Sequence, residues 1–180
     1  SKKLKLDLNE DNARALIEVV GEDKSLLEMQ LQKLFDYISD KREVSFEDIQ
    51  KLSSNTKQYS IFDFQDAIGK RDKSKALEIA FNLLDSGQEI IAILNMIAKF
   101  ILTLAQITEM VRSNINDNEA AKLMGVSWYY YINCKKAGFF MRDERLLNAS
   151  RALLQADLAV KTSASEPKTV LVMLISEMMK

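Results

Sequence analysis

The sequence predicts an all-α protein. Three observations predict it: where its few chain breakers fall, the helical spacing of its apolar residues, and the lack of any useful strand-period alternation. Only five glycines and one proline occur in 180 residues. Gly21, Gly69, Gly87, Gly125 and Gly138 each fall where a helical apolar pattern ends, the place for a left-handed C-terminal cap. Pro167 opens the last such pattern, where a missing N–H is harmless.

The elements follow in order. Ala13, Leu16, Ile17 and Val20 repeat at helical spacing. So do Leu27, Leu31, Leu34 and Ile38, after a Ser25–Glu28 capping box. Ser45 is placed to cap a short third helix, with Val44 and Ile49 as its hydrophobic staple. Further helices are expected over residues 61–68, 72–86, 88–112, 117–124, 128–137, 142–162 and 167–179. The 88–112 helix carries Ile90, Ile91, Ile93, Leu94, Ile97, Ile101, Leu104 and Ile107 around much of its circumference. It should therefore be covered on several sides, as the axis of a bundle. Residues 52–60 form the one polar, uncapped stretch long enough to link three short helices to that bundle.

Composition narrows the function. Apolar residues make up 47%, too many for a disordered chain. The longest apolar runs, such as residues 90–94, are too short to cross a bilayer, and no signal pattern precedes the first helix. No membrane partner is expected. Cys134 is the single cysteine, so no internal disulfide can form and a cytoplasmic address is expected. Cys134 itself reads as a small buried hydrophobe. The net charge of −1 exerts no global pull on nucleic acid, although nine basic and five acidic residues follow Glu119.

Catalytic chemistry is hard to find. There is no histidine, and a lone cysteine cannot make the usual thiolate pair. No glycine-rich phosphate loop is present, and pairs such as Asp157 and Lys161 have the spacing of surface helix support. No catalytic, cofactor-binding or metal-ligating residue is assigned.

One cluster combines aromatic and basic residues: Trp128, Tyr129, Tyr130 and Tyr131, followed by Lys135 and Lys136. Trp128, Tyr129, Lys135 and Lys136 are the candidate DNA contacts, with bases on the rings and phosphates on the lysines. Packing is the competing use. Trp128, Tyr131, Ile132 and Lys135 share one helical face, which would be core; Tyr129, Asn133 and Lys136 share another. Met173, Met178 and Met179 suit either a subunit interface or the chain's own core.

The ordered series of segments resembles a known family. Residues 8–21, beginning Leu8-Asn9-Glu10-Asp11, resemble the opening lid helix of the delta subunit of the bacterial DNA polymerase III clamp loader. Residues 23–34, with Leu27-Glu28 and Lys33-Leu34, are similar to its next helix. Val44-Ser45-Phe46-Glu47-Asp48-Ile49, residues 61–68, Lys75-Ala76-Leu77 and Ala156-Asp157 with Lys161 continue the likeness. The resemblance implies a three-helix lid of the AAA+ type over 7–57, a linker at 58–60 and a helical collar over 61–180. It also implies that a clamp-opening AAA+ core would precede Ser1, so this would be the C-terminal part of a longer protein. The implied partners are the other loader subunits, through the collar, and primed DNA only weakly. The sliding clamp would be reached only through the preceding domain. In ATP-binding lids of this kind a basic residue on the second helix reaches the nucleotide. Ser25 stands there, beside Lys24, which suits a subunit that does not hydrolyse ATP. Where the family often shows a basic pair before the phenylalanine matching Phe140, this chain has Gly138-Phe139, which weakens the DNA reading. The alternatives are another loader subunit, a stand-alone helical adaptor, and a helical hydrolase.

Overall fold

A computed structural model describes residues 7–20, 24–38, 44–46, 48–49 and 61–180. Among these residues every regular element is helical. The N-terminal pair is α1 (Glu10–Val20) and α2 (Lys24–Ile38). The rest are α3 (Ile61–Gly69), α4 (Lys73–Asp85), α5 (Ile90–Arg112), α6 (Asp117–Met124), α7 (Trp128–Lys135), α8 (Asp143–Thr162) and α9 (Pro167–Met178). A single 3₁₀ turn, Gly138–Phe140, follows α7. Residues 52–60, read as the linker, and Gly21 lie outside the described residues.

Capping residues explain the boundaries. Asp72 accepts from the Lys75 N–H at the start of α4, and Asn116 accepts from the Glu119 N–H at the start of α6. Pro167 occupies the first turn of α9, behind Glu166, whose carboxylate accepts from Thr169. Before the short third helix, the Ser45 N–H donates to Asp48 Oδ2 (3.0 Å) and the Asp48 N–H to Ser45 Oγ (3.2 Å). Val44 and Ile49 are both buried beside that reciprocal cap. The backbone of Ser25 is helical within α2, and its side chain, read as a cap, lies outside the described residues.

The glycines divide. Gly87 (φ 92°) and Gly125 (φ 68°) adopt the left-handed conformation that ends a helix. Gly69 and Gly138 do not. Past α3 the left-handed position is taken by Arg71 (φ 60°), and Gly138 sits in the 3₁₀ turn. Gly69 is instead demanded by packing, because an added Cβ would meet the Ala137 Cβ at 2.8 Å.

Two apolar clusters form. The smaller joins Ala15, Leu16, Leu34, Ile38, Val44 and Ile49. The larger runs through α3–α9, and α5 is its axis. Ile93, Leu94, Ile97, Phe100, Ile101, Leu104 and Ile107 are buried there, each large aliphatic contributing roughly 1.5–3 kcal/mol. Ile91 is a partial correction: with Leu102 and Val111 it stays exposed. The expectation that no apolar segment could cross a bilayer is also corrected, since the 23 residues of α5 are long and apolar enough. Short runs join across Asn95 and Lys99 into one continuous helix, which the sequence runs alone understate. Here α5 packs along α8 and is also covered by α3, α4, α6 and α7.

Candidate nucleic-acid and subunit interface

Helix α7 begins at Ser127, whose Oγ accepts from the Tyr130 N–H (3.2 Å). From there the buried side of α7 is Ser127, Tyr130, Tyr131, Cys134 and then Ala137. This corrects the expected core face. Tyr131 is buried, but Trp128 is 37% exposed, and Ile132 and Lys135 are half-buried. The i, i+3, i+4, i+7 stripe counted from Ser127 wins because Ser127 is itself fully buried.

The four candidate DNA contacts are thereby separated. Tyr129 stacks flat on Phe46, with ring centroids 4.0 Å apart and planes 2° from parallel, so one of its faces is occupied. Trp128 meets the Tyr129 ring edge-on at 5.2 Å. Lys135 is paired with Asp117 at 2.7 Å, and that hydrogen bond raises its pKa. Lys136 is exposed and has no ion pair among the described residues. Trp128 and Lys136 therefore remain available for a ligand.

Two open grooves flank the Trp128–Tyr129 pair. One, of about 560 Å³, runs toward Arg14 and Lys122; the other, of about 470 Å³, runs toward Lys70 and Lys136. Both are electrostatically mixed. Glu10 pairs with Arg14 at 2.7 Å and Asp66 with Lys70 at 2.6 Å, so two of the four cations are already neutralised. Among the described residues no group of three potential metal-ligating side chains gathers.

Cys134 is 1% exposed, and burial pushes its thiol up to about 12. Met178 and Met179 belong to the core, whereas Met173 is 64% exposed. The 3₁₀ turn holds a feature that its sequence does not announce. The guanidinium groups of Arg71 (4.2 Å) and Arg145 (4.7 Å) both lie over the Phe139 ring. Arg71 also donates to the Met179 carbonyl (2.7 Å), tying the α3–α4 turn to the end of α9.

Helix α8 has two apolar sides. Leu146, Ala149, Ala152 and Ala156 are buried, while Leu147, Leu154 and Leu158 are 51%, 59% and 50% exposed. The spacing of the three leucines, i, i+7 and i+11, places them in one outward stripe.

The profile of the family described as DNA polymerase III delta subunit, C-terminal domain, matches residues 58–178. The chain belongs to this family. It is 21% identical over 168 residues to the DNA polymerase III subunit delta of Bacillus subtilis (strain 168), covering 93% of this chain and 48% of that protein. It is also 21% identical over 122 residues to the probable DNA polymerase III subunit delta of Aquifex aeolicus (strain VF5), covering 67% of this chain and 35% of that one. The solved Bacillus subtilis DNA clamp loader delta protein superposes on 97% of this chain and 52% of its own, with a TM-score of 0.65 and 19% identity. The likeness of fold thus extends over α1 and α2 as well as the delta C-terminal domain. The chain spans about half or less of the length of these relatives.

Proposed function

We propose that the chain is the lid-and-collar portion of a clamp-loader delta subunit, with the lid over 7–57 and the collar over 61–180, and that it works by holding loader subunits together. One observation carries this reading: within a delta C-terminal domain, α8 turns Leu147, Leu154 and Leu158 outward although its other side is already packed. Single exposed leucines are ordinary, but three aligned on one helix suit a helix of a neighbouring subunit. The division into two apolar clusters is consistent with a lid followed by a collar. The partners on this reading are the sister loader subunits, met in the cytoplasm. The sliding clamp is not among the partners of this portion.

A competition experiment tests it. An excess of the 180-residue chain should displace the full-length protein from its sister subunits, yet leave the sliding clamp unbound. Failure to compete, or capture of the clamp by the chain alone, defeats the assignment.

A second reading concerns DNA, and the exposed indole favours it. Trp128 and Lys136 are proposed to touch a single strand weakly, through one stacked base and one phosphate. The paired state of Arg14, Lys70 and Lys135 keeps the affinity low and steeply salt-dependent. Stacking should quench Trp128 fluorescence, and Trp128→Ala should remove about 1–3 kcal/mol of binding. Unchanged emission throughout a primed-DNA titration removes this reading.

A further inference from the structure

Helix α1 and helix α7 meet through polar groups, and the two apolar clusters on either side remain separate. At the meeting point Glu18 uses both carboxylate oxygens on one residue. The Ser127 N–H donates to Oε1 (2.9 Å) and the Ser127 hydroxyl to Oε2 (2.6 Å). Two turns earlier on the same face of α1, Asp11 Oδ1 accepts from the Trp128 N–H (3.0 Å). Two carboxylates thus take backbone donors at the N-terminus of α7, where negative charge is favoured. A third contact lies off the α1 axis, where Phe46 stacks on Tyr129. The segment bearing Phe46 is itself tied to α1, because the buried Asn12 side chain donates to the Val44 carbonyl (2.7 Å).

We propose that Asp11 and Glu18 form a carboxylate clamp that fixes the orientation of the N-terminal helices on the bundle, with Glu18 as the positioning residue. Backbone N–H groups cannot rotate away, so each bond to one sets direction as well as distance. Two such points define a line along α1, and the Phe46–Tyr129 stack removes rotation about it. Three non-collinear contacts determine a rigid placement. This holds whether or not the chain assembles with partners.

The electrostatics agree with a positioning role. Burial raises the Glu18 carboxyl above its ordinary range, despite the two Ser127 hydrogen bonds and the attraction of Lys99 on α5. Asp11, on the same helix, adds to the rise, and the Cys134 thiol of α7 also feels Glu18. The charged form is therefore held against a desolvation penalty, and fold stability is not what this carboxylate supplies.

The test is a distance distribution between spin labels at Lys33→Cys on α2 and Arg151→Cys on α8, in the full chain carrying Cys134→Ala. Glu18 and Asp11 intact should give one narrow distance. Glu18→Ala should broaden it or add a second population while helix content by circular dichroism stays unchanged. Glu18→Gln, which keeps a single acceptor oxygen, should fall between. Raising the pH through the Glu18 titration should broaden the distribution in the intact protein but change it little in Glu18→Gln. A single narrow distance in both Glu18→Ala and the Asp11→Ala/Glu18→Ala double variant overturns the proposal. If Glu18→Ala loses helix, the pH series decides alone, and a distribution indifferent to pH overturns it equally.

Discussion

Gly69 rests directly on Ala137: a methyl group on the Gly69 Cα would lie 2.8 Å from the Ala137 Cβ. That closeness brings the end of α3 against the residue that leaves α7. In an open helix, Gly→Ala is favourable by about 1 kcal/mol. Here the Cβ must displace backbone-borne atoms, so Gly69→Ala should destabilise by about 1–3 kcal/mol. Urea unfolding measures this, and an unchanged or higher midpoint would remove the packing explanation.

Gly125 and Gly138 make a contrasting pair. Neither has an atom within 4 Å of an added Cβ, but only Gly125 has a positive φ. Gly125→Ala should lose about 1–2 kcal/mol from backbone strain alone. Gly138→Ala should be neutral, or gain about 0.4–1 kcal/mol through the unfolded state. Equal effects at the two positions would mean that φ is not what separates them.

Glu18 should leave a signature in the pH dependence of stability. Its carboxyl is raised, so the native chain holds this proton more tightly than the unfolded chain does. The stabilisation is fully present below the ordinary glutamate range and is lost as pH rises through the raised value. Relative to Glu18→Gln, the intact chain should therefore lose stability as pH climbs across that window. Urea midpoints from pH 4 to about 7.5 would show it; parallel curves for the two proteins would contradict the shift.

Cys134 should be inert in the native state, because its thiol stays protonated near pH 8 with a value of about 12 and lies buried. A chromogenic thiol reagent should label it fully in urea and only slowly without it. Rapid stoichiometric labelling of the native chain would show that α7 does not pack as described.

How much of this was legible in the sequence depends on the range of each contact. The limits of α6 were readable because Asn116 and Gly125 mark them locally, and the Asp157–Lys161 pair, found at 2.7 Å, needed only helical spacing. The face of α7 was misread because it was phased from Trp128. The buried Ser127 that sets the phase is held by Glu18, which lies 109 residues away. Gly69 reads as a cap because a helix-ending glycine looks the same in sequence whether it serves φ or packing. The same limit hides the two arginines over Phe139, which come from α8 and the α3–α4 turn.

The central claim is that this portion of a delta subunit joins loader subunits through the outward side of its bundle. Sedimentation velocity of the 180-residue chain mixed with its sister loader subunits tests that most directly. An interface burying about 1,200–2,000 Å² should give a stable co-sedimenting complex. A Leu154→Asp/Leu158→Asp variant of equal helix content should sediment apart from those subunits. Separate boundaries for the intact chain, under conditions in which the full-length protein assembles, would contradict the claim.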